Sequence, residues 1–385
     1  MSQEIPLKIG HASWIAFQLP FMGAFATAHG SAPAREGAIL RLTTFDGVEG
    51  LGEASPVPGF GAGALADALD VIIALAPRVA GRDLDEVDAL LAALDYGAPG
   101  VAAAACAFDT AICDLRARAA GVAVADLLLS PTDRGRPSSV VVNATVGAPG
   151  PAAASQLARR AAEAGFGCVK LKVGVMGSRE AEIARVAAVR AALGPAIRLR
   201  LDANGAWGVD EAIAIIRAVE RYGIELVEQP APVDDLAGLA RVRAAVDTPI
   251  AADESVGGPE QARQVVEAGA ADVLIVKPIP AGGLRRAREV IALAQAAGLR
   301  ALVTTTIDSG VGVAAALHLA ATLPAPPLAC GLATGPLLVG DLIAAPLYAR
   351  AGALALPEAP GLGVRLDERQ IARYGGGWHK VGRDA

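Results

Sequence analysis

The sequence predicts an α/β protein: a modified TIM barrel of the (β/α)7β type, preceded by a separate α+β domain. Two observations predict it. From Val169 onward, short runs of Val, Leu, Ile and Ala, each long enough for a buried parallel strand, end in a charged residue and give way to a helical pattern. These ends recur roughly every 25–30 residues, the length of one βα unit, so they describe parallel strands whose ends share one face. The first third of the chain lacks this rhythm and places strands first and helices after.

Taken in order, residues 7–17 and 38–44 read as strands, and Asp46-Gly47 is a hairpin signal leading into a strand over 49–54. The pattern turns helical over 62–80, 84–94 and 101–120. Residues 140–145 read as the first barrel strand, with Pro149-Gly150 marking the turn into its helix. Seven further strands are expected to end near Lys172, Asp202, Glu228, Asp253, Lys277, Thr304 and Cys330. Little helical pattern follows the last, so the eighth helix is expected to be missing. Residues 357–363 read as a loop and 364–366 as a closing strand. The expected division is an α+β domain over 1–125, a barrel with a metal site over 126–350, and a tail over 351–385.

Composition narrows the partners. The chain has 385 residues, enough for a large core, and 53% are hydrophobic with few aromatics, which points to an alanine-rich interior. Its 34 basic and 40 acidic residues give a net charge of −6 with no Lys/Arg cluster, which argues against nucleic acid or an anionic membrane as partner. Cys106, Cys113, Cys168 and Cys330 fall inside helix-like or strand-like patterns without metal spacing and read as reduced core residues. No signal peptide is read in the first 20 residues, and the longest apolar runs, such as 311–323, are too short to span a bilayer. A cytoplasmic enzyme acting on a small-molecule carboxylate is the expectation, with an oligomer left open.

The strand ends carry the chemistry. They read Lys170-Leu171-Lys172, Asp202-Ala203-Asn204, Glu228-Gln229-Pro230, Asp253-Glu254-Ser255 and Lys277-Pro278. Asp202, Glu228 and Asp253, converging from three neighbouring strands, would repel one another unless a cation joined them. Carboxylate ligation without His or Cys suits Mg²⁺, with Mn²⁺ as a substitute. Lys172 and Lys277, from strands on either side of the carboxylates, could flank a substrate from opposite sides. This arrangement suits removal of a proton next to a carboxylate, with the metal stabilising the dianionic intermediate and a desolvated lysine taking the proton. Lys170, one pleat pair away, adds a like charge that disfavours the ammonium form of the base.

A strand-end lysine can instead form a Schiff base, as in aldolases, and Lys277 is placed for it. The three carboxylates argue against that, since a Schiff-base site needs no metal. A binding barrel without catalysis would leave the acid/base pair purposeless.

Together these five strand ends resemble the enolase superfamily, within its muconate lactonizing enzyme subgroup, and the likeness covers nearly the whole chain. The resemblance implies that Asp202, Glu228 and Asp253 bind Mg²⁺ and that Lys172 and Lys277 are the acid/base pair. It further implies that the N-terminal domain caps the barrel mouth, that the C-terminal tail returns to this cap, and that a loop over 21–35, carrying His29 and Arg35, closes over the substrate. At the seventh strand, Thr304-Thr305-Thr306-Ile307-Asp308-Ser309-Gly310 enters a helix, where hydroxyls and free N–H groups could hold a substrate carboxylate and Asp308 or Ser309 caps the helix. Asn204, Thr304, Thr305, Asp308, Ser309, His29 and Arg35 are thus the candidate substrate-binding residues.

The histidines, at 11, 29, 318 and 379, fall at no barrel strand end, so lysine chemistry is expected where mandelate racemase-like members use a His base. Dipeptide epimerases carry an Asp-x-Asp at the end of strand eight to hold an ammonium; here Cys330-Gly331-Leu332-Ala333-Thr334 has no acid. That segment, together with Thr27-Ala28-His29-Gly30, Arg35-Glu36-Gly37, Gly52-Glu53-Ala54 and Asp308-Ser309, is similar to o-succinylbenzoate synthases of menaquinone biosynthesis. The implied order is dehydration of the synthase type first, N-acylamino acid racemisation second, and dipeptide epimerisation or cycloisomerisation third.

Overall fold

Two long strands open the fold. In the computed structural model, which describes residues 7–27, 30–58, 63–129, 135–147 and 150–382, β1 (Ile9–Thr27) and β2 (Gly30–Thr44) pair antiparallel. Their register runs from Ile9 opposite Thr44 to Thr27 opposite Gly30, with irregularities near Ile9–His11 and between Pro20 and Phe25. The 21–35 segment, expected as a lid loop, is therefore mostly hairpin. Its Gly/Ala composition reads as loop in isolation, but Phe25, Ala26 and Thr27 pair with Ala32, Ser31 and Gly30, and Arg35 and Ala34 with Leu19 and Pro20, so pairing context overrides the weak propensity. A bridge from Phe21 to Leu338 and a 2.8 Å bond from Val339 N–H to the Pro20 carbonyl tie this hairpin to the segment after the barrel.

β3 (Glu49–Ala54) extends the sheet, and α1 (Leu65–Val79), α2 (Leu84–Ala92), α3 (Val101–Ala120) and α4 (Val124–Leu128) complete the cap. The alanine-rich α3 is buried along most of its length because it lies directly on β3. Gly50 and Gly52 permit that approach. A Cβ at Gly52 would stand 1.9 Å from the Ala107 carbonyl oxygen, and one at Gly50 would stand 2.2 Å from that of Ala111.

The barrel follows as β4 (Ser139–Val141), β5 (Ala144–Val146), α5 (Pro151–Glu163), β6 (Cys168–Lys172), α6 (Arg179–Leu193), β7 (Arg198–Asp202), α7 (Val209–Val219), β8 (Ile224–Glu228), α8 (Leu236–Ala245), β9 (Ile250–Ala252), α9 (Pro259–Glu267), β10 (Val273–Val276), α10 (Pro278–Ala281), α11 (Leu284–Ala296), β11 (Arg300–Val303) and α12 (Gly310–Ala320). Strands β5 to β11 form one parallel sheet in chain order. Residues 330–331 close it, with Gly331 bridged to Thr304 and Cys330 to Val142, and no α-helix follows until the tail. β9, β10 and β11 after Arg300 are continuous in Val, Ile, Leu and Ala, as burial on both faces demands, whereas β6 to β8 alternate such residues with charged ones, among them the buried Lys170 and Arg200.

Two expectations are corrected. The first strand, read over 140–145, is split: β4 pairs antiparallel with β12 (Ala353–Ala355) of the tail, and only β5 joins the barrel. Residues 364–366 form no strand, since Leu366 makes a single bridge to Ile343. The tail, after α13 (Glu368–Tyr374), instead returns through β13 (His379–Gly382), which pairs with β1. Short segments of this kind owe their strand state to a partner that is distant in sequence. All four cysteines are buried and free, and among the described residues no helix is long and apolar enough to cross a membrane.

His318 on α12 joins cap, barrel and tail. Its Nδ1 accepts from the Ala125 N–H at 3.4 Å, and Nε2 faces the Leu362 carbonyl at 3.1 Å, which defines a neutral ring donating from Nε2. Burial pushes its pKa down to about 4. A base whose folded pKa lies below its unfolded value of about 6.5 contributes stability that is whole above pH 6.5 and lost as pH falls to about 4. The shift corresponds to about 3 kcal/mol. Urea unfolding should show a loss of this size between pH 7 and pH 4 that His318→Gln diminishes; an equal pH dependence in that variant would remove His318 as its source.

Candidate active site

The parallel register assembles the site. Lys172 stands beside Asp202, and Asp202 beside Glu228, at the ends of β6, β7 and β8, while Asp253 and Lys277 each follow the last residue of β9 and β10 by one position. Lys170 and Lys172, two apart on one strand, share a face. Lys170 Nζ lies 2.8 Å from both Asp202 Oδ2 and Glu228 Oε1. Lys172 Nζ donates to Asp202 Oδ2 at 2.6 Å and to Asn204 Oδ1 at 2.9 Å. Across the carboxylates, Lys277 Nζ is paired with Asp253 Oδ1. Structure thus brings together all six residues that the sequence singled out for metal and acid/base work.

The turns after the strands are held in unusual backbone. Asn204 and Gln229 have φ of 46° and 38°, left-handed values that cost non-glycine residues energy. Gln229 is fully buried and joins two strand ends: its Oε1 accepts from Asp253 N–H at 3.0 Å, and its Nε2 donates to Ser255 Oγ at 2.9 Å. Glu254 Oε1 receives Asn204 Nδ2 at 2.7 Å, whereas its buried Oε2 has no hydrogen-bond partner.

Charge is concentrated here out of water. Burial raises Glu228, and neighbouring Asp202 raises it further, to about 8 despite Lys170. Asp202 is also buried, yet Lys170 and Lys172 hold its pKa well below the carboxylate range. Burial disfavours the Lys170 ammonium, but Asp202, Glu228 and Asp253 outweigh that and keep it firmly protonated. Among the described residues no three Asp, Glu, His or Cys side chains stand as a ready metal cage. Lysine ammonium groups lie against all three carboxylates. The donor set itself fits a hard divalent cation: three buried carboxylates in adjacent positions, oxygen only, with an unpartnered Glu254 oxygen beside them.

Residues 13–128 match the family described as Mandelate racemase / muconate lactonizing enzyme, N-terminal domain, and residues 152–370 match Enolase C-terminal domain-like. The chain belongs to the enolase superfamily. Within this superfamily it is 46% identical over 235 residues to an o-succinylbenzoate synthase from Thermobifida fusca (strain YX), covering 60% of this chain and 71% of that one. To the L-Ala-D/L-Glu epimerase of Bacillus subtilis (strain 168) it is 34% identical over 321 residues, 82% of this chain and 86% of the relative. The dipeptide epimerase of Enterococcus faecalis V583, solved with Mg and the dipeptide L-Leu-L-Tyr, superposes with a TM-score of 0.86 at 31% identity over 94% of this chain and 99% of that one.

The remaining candidates of this enolase-superfamily chain are placed as follows. Asn204 lies against Lys172. Thr304 Oγ1 donates to the Gly331 carbonyl at 3.0 Å, and Thr305 Oγ1 meets Thr334 Oγ1 at 3.3 Å. Ser309 is the N-cap of α12 and accepts from Val311 N–H. The N–H groups expected to be free for a substrate carboxylate are engaged: Ser309 and Gly312 donate to Glu53 at 3.0 and 2.8 Å, and Gly310 donates to Asp341 at 2.7 Å. Arg35 is buried and donates to the Ser55 and Pro56 carbonyls and to Thr306 Oγ1, with Asp308 3.8 Å away. Burial raises Asp308, and Glu53 adds to this, to about 7 despite Arg35. His29 lies outside the described residues. Gln229, Glu254 and Glu53 were not assigned roles from sequence, although the first two stand inside the strand-end motifs.

Proposed function

We propose that this chain removes a proton α to a carboxylate, by way of an enediolate, and that its reaction is the dehydration of 2-succinyl-6-hydroxy-2,4-cyclohexadiene-1-carboxylate to o-succinylbenzoate. The observation that carries the chemistry is the placement of Lys172 and Lys277 on strands flanking Asp202, Glu228 and Asp253. Those three carboxylates would hold Mg²⁺, with Mn²⁺ as a substitute, and the Mg reported with the Enterococcus epimerase supports this. When bound, the ion supplies charge stabilisation for the developing dianion.

The chain's own residues do the rest. Lys172 takes the α-proton, and the C–H electron pair moves into the carboxylate to give the enediolate. That pair then returns to form the ring double bond as the β-hydroxyl leaves, and Lys172 returns the proton to it so that water departs. Lys277 contributes a fixed positive charge on the other side, aimed at charge that grows in the transition state. The substrate assignment is supported by an acid-free strand-eight end over 330–334, which suits no ammonium, and by the 46% identity to the Thermobifida synthase.

The test is to offer purified protein this cyclohexadiene, N-succinyl amino acids and an Ala-Glu dipeptide. We expect kcat/KM to be largest for the cyclohexadiene; no detectable o-succinylbenzoate with brisk dipeptide epimerisation would sink the assignment. N-acylamino acid racemisation is the second reading, favoured by the two opposed lysines, because inversion needs a base on each face. Lys277→Arg separates the two. It keeps the charge that dehydration needs and so costs far less than Lys172→Arg in the synthase assay, whereas racemisation falls equally in both variants.

A further inference from the structure

Glu53 sits on β3 of the cap, almost wholly buried, and its carboxylate is saturated by four hydrogen bonds. Oε1 accepts from Ser55 Oγ and from Ser309 N–H at 3.0 Å; Oε2 accepts from Ser309 Oγ at 2.6 Å and Gly312 N–H at 2.8 Å. Three of the four donors belong to the barrel, at the start of α12. A carboxylate at that helix end also meets the favourable end of the helix dipole. A side chain at position 312 would intrude, since a Cβ there would stand 2.6 Å from Asp308 Cβ and 3.0 Å from Glu53 Oε2.

The turn before this helix is also built by the cap. Arg35 on β2 donates to Thr306 Oγ1 at 3.0 Å, and Thr306 Oγ1 donates to Asp308 Oδ1 at 2.6 Å. Between them Ile307 has φ of 65°, a left-handed value that a β-branched residue holds only where its surroundings enforce it. Its N–H faces Thr305 Oγ1 at 3.3 Å, so the strained turn and the threonines at the end of β11 are one unit.

We infer that Glu53 is a positioning residue: acting from the cap through Ser309 and Gly312, it fixes the turn after the seventh strand and thereby the substrate-side arrangement of Thr304, Thr305 and Ile307. This rests on the barrel mouth being the substrate site, as proposed above. It implies that a substrate carboxylate does not use the α12 N-terminus, which the cap already fills. Loss of the clamp should weaken substrate binding more than turnover, because the lysines and carboxylates stand on other strands.

The experiment measures KM and kcat, with the substrate found best for the wild type, in Glu53→Gln, Ser309→Ala and Asp109→Asn, alongside melting temperature. Glu53→Gln keeps the volume but replaces one acceptor oxygen by a donor facing donors, and should raise KM about tenfold with kcat within about threefold. Ser309→Ala removes one bond to Glu53 and should raise KM about threefold; it decides the matter if Glu53→Gln does not fold. Asp109 makes a different cap-to-barrel contact, with Arg285, so its variant should melt earlier with KM unchanged. Unchanged KM in the Glu53 or Ser309 variants, with activity falling only as the folded fraction falls, overturns the inference. An equal KM shift in Asp109→Asn overturns it too, by assigning the effect to cap docking at large. A wild type inactive on every carboxylate offered would instead defeat the functional reading beneath it.

Discussion

Lys172→Arg is expected to slow exchange of the substrate α-proton with solvent deuterium on the order of 10²–10⁴-fold, the usual worth of a positioned base. The expectation follows from where Lys172 is held. Its Nζ lies 2.6 Å from Asp202 and 2.9 Å from Asn204, fixed by two partners at the end of β6, with Asn204 itself held by Glu254. Arginine retains the positive charge beside Asp202, so binding of an anionic substrate is kept and KM changes little. What it loses is the neutral form, because a guanidinium stays protonated at any pH the fold tolerates. The readout is deuterium incorporation at the α-carbon under single-turnover conditions, which reports proton removal whether dehydration or racemisation follows. Exchange at the wild-type rate in this variant would take the role of base away from Lys172.

The convergence of the candidate metal and acid/base residues was legible in the sequence because all but Lys170 stand at or just after a strand end, and parallel strands in chain order have one geometry. Lys172, Asp202 and Glu228 are the last residues of their strands, and no long-range contact had to be guessed to bring them together. The cap was less legible. Residues 21–35 read as a loop because their ladder depends on pairing across the hairpin, and the 364–366 segment read as a strand because three residues carry too little pattern to reveal an absent partner. Glu53 shows the limit most clearly. Nothing near it in sequence indicates that its carboxylate serves a helix some 256 residues later, and only the assembled interface gives it a function.

If Glu228 is a metal ligand as proposed, Glu228→Gln is expected to weaken Mg²⁺ binding and, with it, activity, while the fold stays intact. Glu228 is buried between Lys170 and Asp202, and glutamine fills the same volume, so packing at the end of β8 is preserved. Charge is what changes. The site sets three carboxylates against three lysines, and a dication becomes welcome only if all three carboxylates are free to face it. Removing one leaves Lys170 with less counter-charge and raises the electrostatic cost of bringing another cation into a buried space. Calorimetric titration should show Mg²⁺ affinity reduced at least about 100-fold, since even residues that merely support metal ligands are worth 10–100-fold. Turnover should fall on the order of 10³-fold, the scale of losing a preorganised charge stabiliser. Far-UV circular dichroism should be unchanged, which separates loss of the ion from loss of structure. Wild-type protein that keeps full activity after exhaustive chelation, or a Glu228→Gln variant that binds Mg²⁺ as the wild type does, would remove these carboxylates from metal binding and leave the opposed lysines to act on charge alone.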